Sequence, residues 1–461
     1  MFYNNNFQMF KQIHRPLIFQ LQKCSTMVQK KSKPHMILDE NIDKLIKANE
    51  LKPRKHEGVI HRATLELPKW IIQAMKYMLE DYPKSEIIKD ATYLHRYLNF
   101  KMLPPENYNT ESKYMEVQES IMKRRKYKNI LESEDNDLLP EIHDKTMKVL
   151  KTKINPWAPI QYDRYRSLMY MLGRGAQDYA ILYKIMKEIK SRDEEFRPKT
   201  LLDFGSGIGT VSWVANEFWY QSLKERMCID ISKEMNNLAE GIINLADPKF
   251  KSTGFYREYL PITSVPKFDI VVSSMSLLEL PNRKTRLDII ANLWRKTEKY
   301  LILVEYGTKG GFQIISEARD FIHQMINIQQ KRDPNNRAFI FSPCPHDKDC
   351  PMDISKDHTC HFTTKFFQIS FSKTLIPRSE SYTYVVFKKD ADREEKDHWP
   401  RIVRPVIVRS CHSICRVCTS AGKLQELHFT KAKHDRSLYY CARNSRWGDQ
   451  LPIEIDKNEE E

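Results

Sequence analysis

The chain has 461 residues, of which 41% are hydrophobic, and a formal net charge of +15 at pH 7. This length allows two or three domains with a large buried core. No uninterrupted apolar stretch approaches the ~20 residues of a membrane helix, and nine clustered cysteines do not match the disulfide framework of a small secreted protein. The positive charge favours a polyanionic partner, above all a nucleic acid, although some organelle proteins are basic only for solubility.

The first 36 residues are rich in Lys and Arg, and no Asp or Glu precedes Asp39. A basic, amphipathic leader without acidic residues predicts a mitochondrial transit peptide over residues 1–36, with a disordered basic tail as the alternative. Residues 37–195 then predict a mainly helical region, in which Leu67–Met78 and Ala176–Ile189 have helical apolar spacing. The basic string Met122–Lys128 is interpreted as a solvated helix face, with phosphate contact as the alternative.

Thr200–Val211 contains the most informative motif of the chain. An apolar strand ends at Asp203, and glycines at the alternate positions Gly205, Gly207 and Gly209 turn the backbone into a helix. Glycine permits the tight turn and the close approach of a ligand, and the helix start offers free N–H groups. This spacing resembles motif I of the S-adenosylmethionine-dependent methyltransferases more than the dinucleotide fingerprint of NAD enzymes.

Alternating strands and helices from residue 199 onward predict an α/β fold, with a Rossmann-like methyltransferase domain over residues 196–395. The predicted strands after the one that ends at Asp203 are Met227–Asp230, Phe255–Leu260, Phe268–Ser274, Tyr300–Tyr306 and an antiparallel final pair, Phe366–Ser372 and Ser381–Lys388. The helices between them are Ser232–Leu245 and Asn282–Arg295. Because the carboxyl ends of parallel strands share one edge, we expect the cofactor there, held by Asp203, Gly205, Gly207, Gly209, Asp230 and Ser274.

An insertion at residues 341–362 carries three cysteines, Cys344, Cys350 and Cys360, the first two beside prolines. Grouped thiolates suit an iron–sulfur cluster or zinc, and a fourth ligand would come from Cys411, Cys415 or Cys418 in the tail. His346 and His358 are alternative zinc ligands, although a loop histidine is more often a surface residue.

The extension at residues 396–461 is rich in strand signals and in basic and aromatic side chains. Basic side chains contact phosphates and aromatic faces stack on unpaired bases, so this extension is the predicted RNA surface. The alternative is a small β subdomain whose aromatic side chains form its core. The basic residues are Arg401, Arg404, Arg409, Arg416, Lys423, Lys431, Lys433, Arg436, Arg443 and Arg446, and the aromatic ones are Phe429, Tyr439, Tyr440 and Trp447.

Several of these motifs together resemble the mitochondrial methyltransferase-like family associated with small ribosomal subunit assembly. They are Asp-Phe-Gly-Ser-Gly-Ile-Gly, Val-Val-Ser-Ser-Met-Ser-Leu-Leu-Glu-Leu-Pro281, Val-Glu-Tyr-Gly-Thr-Lys-Gly310, Pro-Cys-Pro-His-Asp-x-x-Cys-Pro351 and Ser-Arg-Trp-Gly-Asp449. The resemblance covers about Tyr162 to Pro452. It implies a matrix protein that binds the mitochondrial small ribosomal subunit and its rRNA and holds a [4Fe–4S] cluster on Cys344, Cys350, Cys360 and Cys418, with Cys415 in reserve.

Whether the chain is an enzyme is left open by the sequence, which identifies no catalytic residue. After the fourth strand, Ser273–Ser276 replaces the Asn/Asp-Pro-Pro-aromatic tetrad of amino-methylating enzymes, and Glu279 and Glu305 are expected to be structural. We therefore expect a binding protein that contains S-adenosylmethionine and the cluster, is monomeric when free and does not contact membranes. The alternatives are an active rRNA methyltransferase and a zinc-stabilised RNA-binding module.

Overall fold

The computed structural model describes residues 35–61, 63–123, 139–153, 157–245, 250, 252–263, 266–352, 359–371 and 375–455. The predicted leader up to residue 34, the basic residues 124–128, His358 and the C-terminal residues 456–461 lie outside this part. No helix in these ranges is long and apolar enough to cross a membrane.

A central eight-stranded sheet forms the largest layer of the molecule. Numbered along the chain, the strands of the protein are β1 Met36–Leu38, β2 Thr200–Phe204, β3 Glu225–Ile229, β4 Thr253–Arg257, β5 Phe268–Ser274, β6 Thr297–Tyr306, β7 Ala338–Ser342, β8 Phe362–Phe367, β9 Pro377–Lys389, β10 Arg401–Ile402, β11 Ile407–Val408, β12 His412–Cys418, β13 Leu424–Thr430 and β14 Ile453–Ile455. The central sheet has the order β4-β3-β2-β5-β6-β9-β7, with β8 also paired to β9. The first five strands are parallel, and β9 is antiparallel to β6, β7 and β8. The predicted Rossmann-like methyltransferase fold is thereby confirmed.

Helices pack against this sheet, form the N-terminal region and contribute to the C-terminal region. They are α1 Glu40–Lys47, α2 Lys69–Met78, α3 Lys84–Phe100, α4 Asn107–Met122, α5 Leu139–Lys153, α6 Arg164–Arg192, α7 Thr210–Trp219, α8 Lys233–Asn244, α9 Arg283–Lys296, α10 Lys309–Arg332 and α11 Arg436–Asn444. The sequence predicted only the middle of α6. The helix begins earlier because Asp163 accepts a hydrogen bond from the Arg166 N–H and so caps its N-terminus.

The end of the sheet differs from the prediction. The strand at the edge beside β9 is β7, which was not predicted, whereas the predicted strand Phe366–Ser372 is observed as β8, shifted towards the N-terminus. The cysteine insertion therefore follows the sixth strand of the sheet and not the fifth. Alternate burial along β8 explains the shift, since Phe362, Thr364 and Phe366 face the core and Lys365 faces solvent.

Two large hydrophobic cores, with a third small cluster between α4 and α5, hold the described residues together. The larger core joins the central sheet to α2, α3 and α6, so the N-terminal helices share the core of the methyltransferase-like domain. The second core lies in the C-terminal region, where β10–β13 form a sheet against α11. The N-terminal strand β1 pairs with β14 and contributes Leu38 to this second core. The C-terminal domain is thus built from both ends of the described chain.

Candidate cofactor and metal sites

The glycine loop follows β2 at the carboxyl edge of the sheet. Gly205, Gly207 and Gly209 all have positive φ values, of 70°, 50° and 82°, which L-residues other than glycine rarely adopt. A Cβ on Gly205 would lie 2.3 Å from the Ser276 Cβ, whereas a Cβ on Gly207 would meet only the Tyr170 ring, at 4.0 Å. Gly205 is thus required for packing, while Gly207 leaves room beside the loop.

Two carboxylates flank this loop. Asp230 Oδ2 accepts a hydrogen bond from the Gly207 N–H at 2.9 Å, and Asp230 Oδ1 accepts one from the Ser232 N–H at 2.9 Å. Asp203 is completely buried, and neither of its carboxyl oxygens has a hydrogen-bond partner among the described residues. Burial and the nearby Asp230 raise the pKa of Asp203 well above its usual range. An orphaned buried carboxyl beside an open glycine loop is consistent with a polar ligand at this edge.

The predicted cofactor residues therefore lie at one edge, since Ser274 ends β5 next to β2. Asp230 has a further role that the sequence did not indicate, because its two oxygens already hold the backbone of the loop and of the following turn. The roles of these six residues in cofactor binding stay predictions.

The residues at and after the end of β5, where a methyl acceptor would bind, hydrogen-bond to other groups of the protein. The Ser273 and Ser276 hydroxyls hydrogen-bond to each other at 2.7 Å, and the Ser276 hydroxyl donates to the Phe204 carbonyl at 3.1 Å. Glu305 is completely buried, and its Oε1 accepts the Leu277 and Leu278 N–H groups. Burial raises the pKa of Glu305 to about 8.

The second candidate base, Glu279, is held by the N-terminal region. Its Oε2 lies 2.5 Å from the Lys101 Nζ and accepts the Ile160 N–H at 3.2 Å. Lys101 is itself buried and lies 5.4 Å from the centre of the Trp157 ring. Tyr162 packs edge-on against Tyr170 beside these residues. Residues of the N-terminal region thus pack beside this part of the sheet edge, and two of them bind the carboxylate of Glu279.

All four thiols expected as cluster ligands line one small apolar cavity, which we call the thiol cavity. Its walls are Pro343, Cys344, Cys350, Pro351, Met352, Cys360, Phe362, Arg401, Val403 and Cys418. Within the described ranges, no three His, Cys, Asp or Glu side chains converge closely enough to hold a single metal ion. The structure therefore brings the four cysteines together around a shared space, and their role as ligands stays a prediction.

Cys415 and Cys418 lie on opposite faces of β12. Cys418 faces the thiol cavity, while Cys415 is completely buried in the C-terminal core, with its Sγ 3.8 Å from the Ala442 carbonyl oxygen. An odd spacing along a strand places two side chains on opposite faces, which separates these two candidates. His346 is also buried, and its Nε2 lies 3.2 Å from the Cys418 Sγ, so it lies beside the cavity and is not a surface residue.

A buried cation also adjoins the thiol cavity. Arg319 of α10 is 3% exposed and hydrogen-bonds to the Cys344 side chain, to the Lys348 carbonyl and to Asp320. Burial and the nearby Cys344 raise the pKa of Cys350 to about 11, so metal binding at this site would displace a proton. The positive charge of Arg319 favours negative charge on the sulfur atoms.

The C-terminal extension only partly matches the predicted RNA surface. Arg401 is 1% exposed, and its guanidinium donates to Glu188 Oε1 at 2.5 Å, the Pro343 carbonyl at 3.0 Å and the Gly448 carbonyl at 2.9 Å. It therefore joins three segments of the chain and is unavailable to a phosphate. Phe429 and Tyr439 are core residues of the second core, as the alternative interpretation required. The exposed basic residues are Arg409, Arg416, Lys423, Lys431, Lys433, Arg436 and Arg446.

The partners of Arg401 and Cys344 were not identified by sequence reasoning. Glu188 lies near the C-terminal end of α6 and Arg319 in the middle of α10, where charged residues usually face solvent. The available signal was weak: the helical wheel of α6 places Glu188 one turn after Lys184 and one turn before Arg192.

The chain is similar to known mitochondrial proteins over most of its length. The family model described as "Mitochondrial small ribosomal subunit Rsm22" matches residues 164–452, which include the glycine loop, the thiol cavity and the C-terminal sheet. The chain belongs to the Rsm22 family. It is 33% identical over 408 residues to the human protein "Ribosome assembly protein METTL17, mitochondrial", covering 87% of this chain and 86% of that protein.

A second relative of this Rsm22 family member is "Rsm22-cox11 tandem protein 2, mitochondrial" of Schizosaccharomyces pombe. The identity is 30% over 320 residues, which cover 60% of this chain and 42% of that protein. Among solved structures, a SAM-dependent methyltransferase from Aquifex aeolicus is 13% identical, covering 50% of this chain and all of its own, with a TM-score of 0.29. Both sequence relatives are mitochondrial, which confirms the predicted mitochondrial location.

Proposed function

We propose that this protein is an assembly factor of the mitochondrial small ribosomal subunit, which acts by binding the incomplete subunit and its rRNA in the matrix. The observation that carries the proposal is the 33% identity, over 87% of the chain, to a human mitochondrial ribosome assembly protein. The exposed basic residues of the C-terminal domain would supply the phosphate contacts that rRNA binding requires.

We further propose that the thiol cavity holds a [4Fe–4S] cluster. Four soft donors around an apolar space suit such a cluster. Grouped thiolates also suit a tetrahedral zinc site, and iron and zinc analysis distinguishes the two. Cys418 belongs to the C-terminal sheet and the other three to the preceding insertion. The cluster would therefore fasten the RNA-binding domain to the methyltransferase-like domain.

The glycine loop fits S-adenosylmethionine as a bound cofactor. The open space at Gly207 and the unpartnered carboxyl of Asp203 are the two observations that support this fit. S-adenosylmethionine supplies an activated methyl group in enzymes of this fold. On the acceptor side, however, Glu279 is paired with Lys101 and Glu305 is fully buried. Both candidate bases are engaged, which supports a binding role over methyl transfer.

A substitution at Gly207 distinguishes binding from catalysis. Gly207→Leu should weaken S-adenosylmethionine binding at least about tenfold, because its side chain would enter the open space beside Tyr170. Gly207→Ala is the matched control, since it imposes the same left-handed strain while adding only a Cβ. Isothermal titration calorimetry gives the affinity. Small-subunit levels and a map of rRNA methylation in mitochondria that carry each variant give the function.

Under our proposal, Gly207→Leu lowers the amount of assembled small subunit, and no specific methyl mark is missing from the subunits that form. Loss of one rRNA methyl mark with normal assembly would instead establish the protein as a methyltransferase and overturn the proposed binding role.

A further inference from the structure

A second cavity lies between the methyltransferase-like domain and the C-terminal domain, away from the glycine loop. It has a volume of about 530 Å³ and is bordered by α6, β8, the loop before β11 and the end of α11. We call it the basic cavity, because its walls include Lys184, Lys365, Arg443 and Arg446. No Asp or Glu occurs among the described residues that line it. Its size is that of a small-molecule site, and its charge selects an anion.

One aromatic side chain adds a second kind of recognition. Trp447 lines the cavity and is half-buried. Its indole Nε1 is buried and has no hydrogen-bond partner within the part of the chain that the structure describes. The His361 ring packs edge-on against Trp447 with a centroid distance of 4.9 Å, which fixes the indole in place. An aromatic ring that is fixed in orientation beside cationic groups suits a flat base attached to a phosphate.

The Trp-Gly-Asp motif explains how the cavity is built. Asp449 is completely buried, and its Oδ1 accepts the N–H groups of Ile60 at 2.9 Å and His61 at 2.8 Å. Its Oδ2 accepts the Arg446 N–H at 2.8 Å and lies 2.5 Å from the His61 Nδ1. One carboxylate thus fixes both the N-terminal wall of the cavity and the loop that carries Trp447.

The floor of the cavity is also cationic. Lys184 is 6% exposed, and its Nζ donates one hydrogen bond, to the Thr363 carbonyl at 3.2 Å. An ammonium group has three donors, so further acceptors would be accommodated at this position. Asp449 and Glu188 lie near Lys184 and partly offset the cost of burying its charge, and a bound anion would offset more of that cost.

We propose that the basic cavity receives one unpaired nucleotide of a single-stranded rRNA segment, with the base against Trp447 and the phosphate beside Lys365 and Arg446. This inference rests on the proposed function and adds the form of RNA that is recognised. An unpaired nucleotide is favoured over a duplex because stacking on an aromatic side chain requires a base that has left its own stack.

The test uses the purified full-length protein and two fluorescent probes, an oligouridylate of about 12 nucleotides and the same strand with abasic sites. We expect the wild-type protein to bind the abasic strand about tenfold more weakly, because base stacking is lost. Trp447→Ala should remove most of this difference, and Trp447→Phe, which keeps an aromatic face, should retain it. Lys365 is at an exposed position, and Lys365→Gln should weaken the binding of both probes. It should also lower the slope of log K against log salt by about 1.

Lys433→Gln is the matched control, since Lys433 is an exposed lysine of the C-terminal domain that does not line the cavity. Its loss should leave the discrimination between the two probes intact. Equal binding of both probes by the wild-type protein, or full discrimination by Trp447→Ala, would overturn the nucleotide pocket while leaving RNA binding in place. An unchanged salt slope in Lys365→Gln would overturn the assigned phosphate position. Failure of the wild-type protein to bind either probe would overturn both the pocket and the proposed rRNA contact.

Discussion

Replacement of Arg401 by Met should lower the free energy of unfolding by about 3–5 kcal/mol, because it leaves a buried carboxylate without its main partner. Glu188 is 1% exposed, and its Oε1 accepts from Arg401 at 2.5 Å and from Arg192 at 2.7 Å. Burial alone would raise the pKa of Glu188, but Arg401 and Arg192 overcome this effect and lower the pKa to about 2. The measurement is urea unfolding followed by tryptophan fluorescence.

The sign of the pH dependence follows from the lowered pKa of Glu188. Its ion pairs stabilise the fold above about pH 4.5, the ordinary pKa of the group, and this contribution is lost as the pH falls towards 2. In Arg401→Met the folded-state pKa of Glu188 moves upward, so the variant should lose less stability than the wild-type protein as the pH falls below about 4.5. The difference between wild type and variant should therefore narrow as the medium becomes acidic.

Arg416→Met is the control for Arg401→Met. Arg416 pairs with Glu426 at 2.8 Å on the surface of the same domain, with the two side chains 51% and 43% exposed. Its replacement should cost less than about 0.5 kcal/mol. The double variant Arg401→Met/Glu188→Gln should recover part of the loss, since no uncompensated carboxylate remains. Equal destabilisation by Arg401→Met and Arg416→Met would contradict a linking role for Arg401.

Cys418→Ser should abolish iron binding, whereas Cys415→Ser should leave it unchanged. The two cysteines are three residues apart on β12, but only Cys418 lines the thiol cavity. A serine hydroxyl is a poor replacement for a thiolate ligand of iron. We expect about four irons per chain in the wild-type protein and in Cys415→Ser, and less than about one in Cys418→Ser, from anaerobic spectra and iron analysis.

Cys415→Ser also controls for local packing. It places a hydroxyl in the C-terminal core and should cost about 1–3 kcal/mol of stability without a change in metal content. Iron retained in Cys418→Ser, or lost equally in both variants, would contradict the assignment of Cys418. A content of about one zinc per chain in the wild-type protein would contradict the cluster and indicate a tetrahedral structural zinc site.

The sequence predicted best those elements whose local pattern matches their tertiary environment. The central strands β5 and β6 are near-continuous apolar runs because helices cover both faces of a parallel sheet, and such runs are readable without knowledge of the fold. The glycine loop was readable for a similar reason, since its three positive φ values require glycine locally.

Elements defined by distant partners were not predicted. Arg401 was assigned to a surface because its neighbours are basic, but its partner Glu188 lies 213 residues earlier in the chain. Phe429 and Tyr439 have the same ambiguity, since an aromatic residue among basic ones suits either a stacking surface or a small core. β7 was not predicted because Ala338–Ser342 is short and is followed directly by the Pro-Cys insertion, so its apolar residues were not recognised as a separate strand.

The proposed assembly role is tested most directly by sedimentation of a mitochondrial extract on a sucrose gradient. We predict that the protein co-sediments with small-subunit precursors and their rRNA, and that Cys415→Ser does the same. Cys418→Ser should shift towards the top of the gradient, because the proposed cluster no longer helps to position its C-terminal domain. A wild-type protein found only among free proteins, with precursors of normal abundance when it is depleted, would contradict the proposed function.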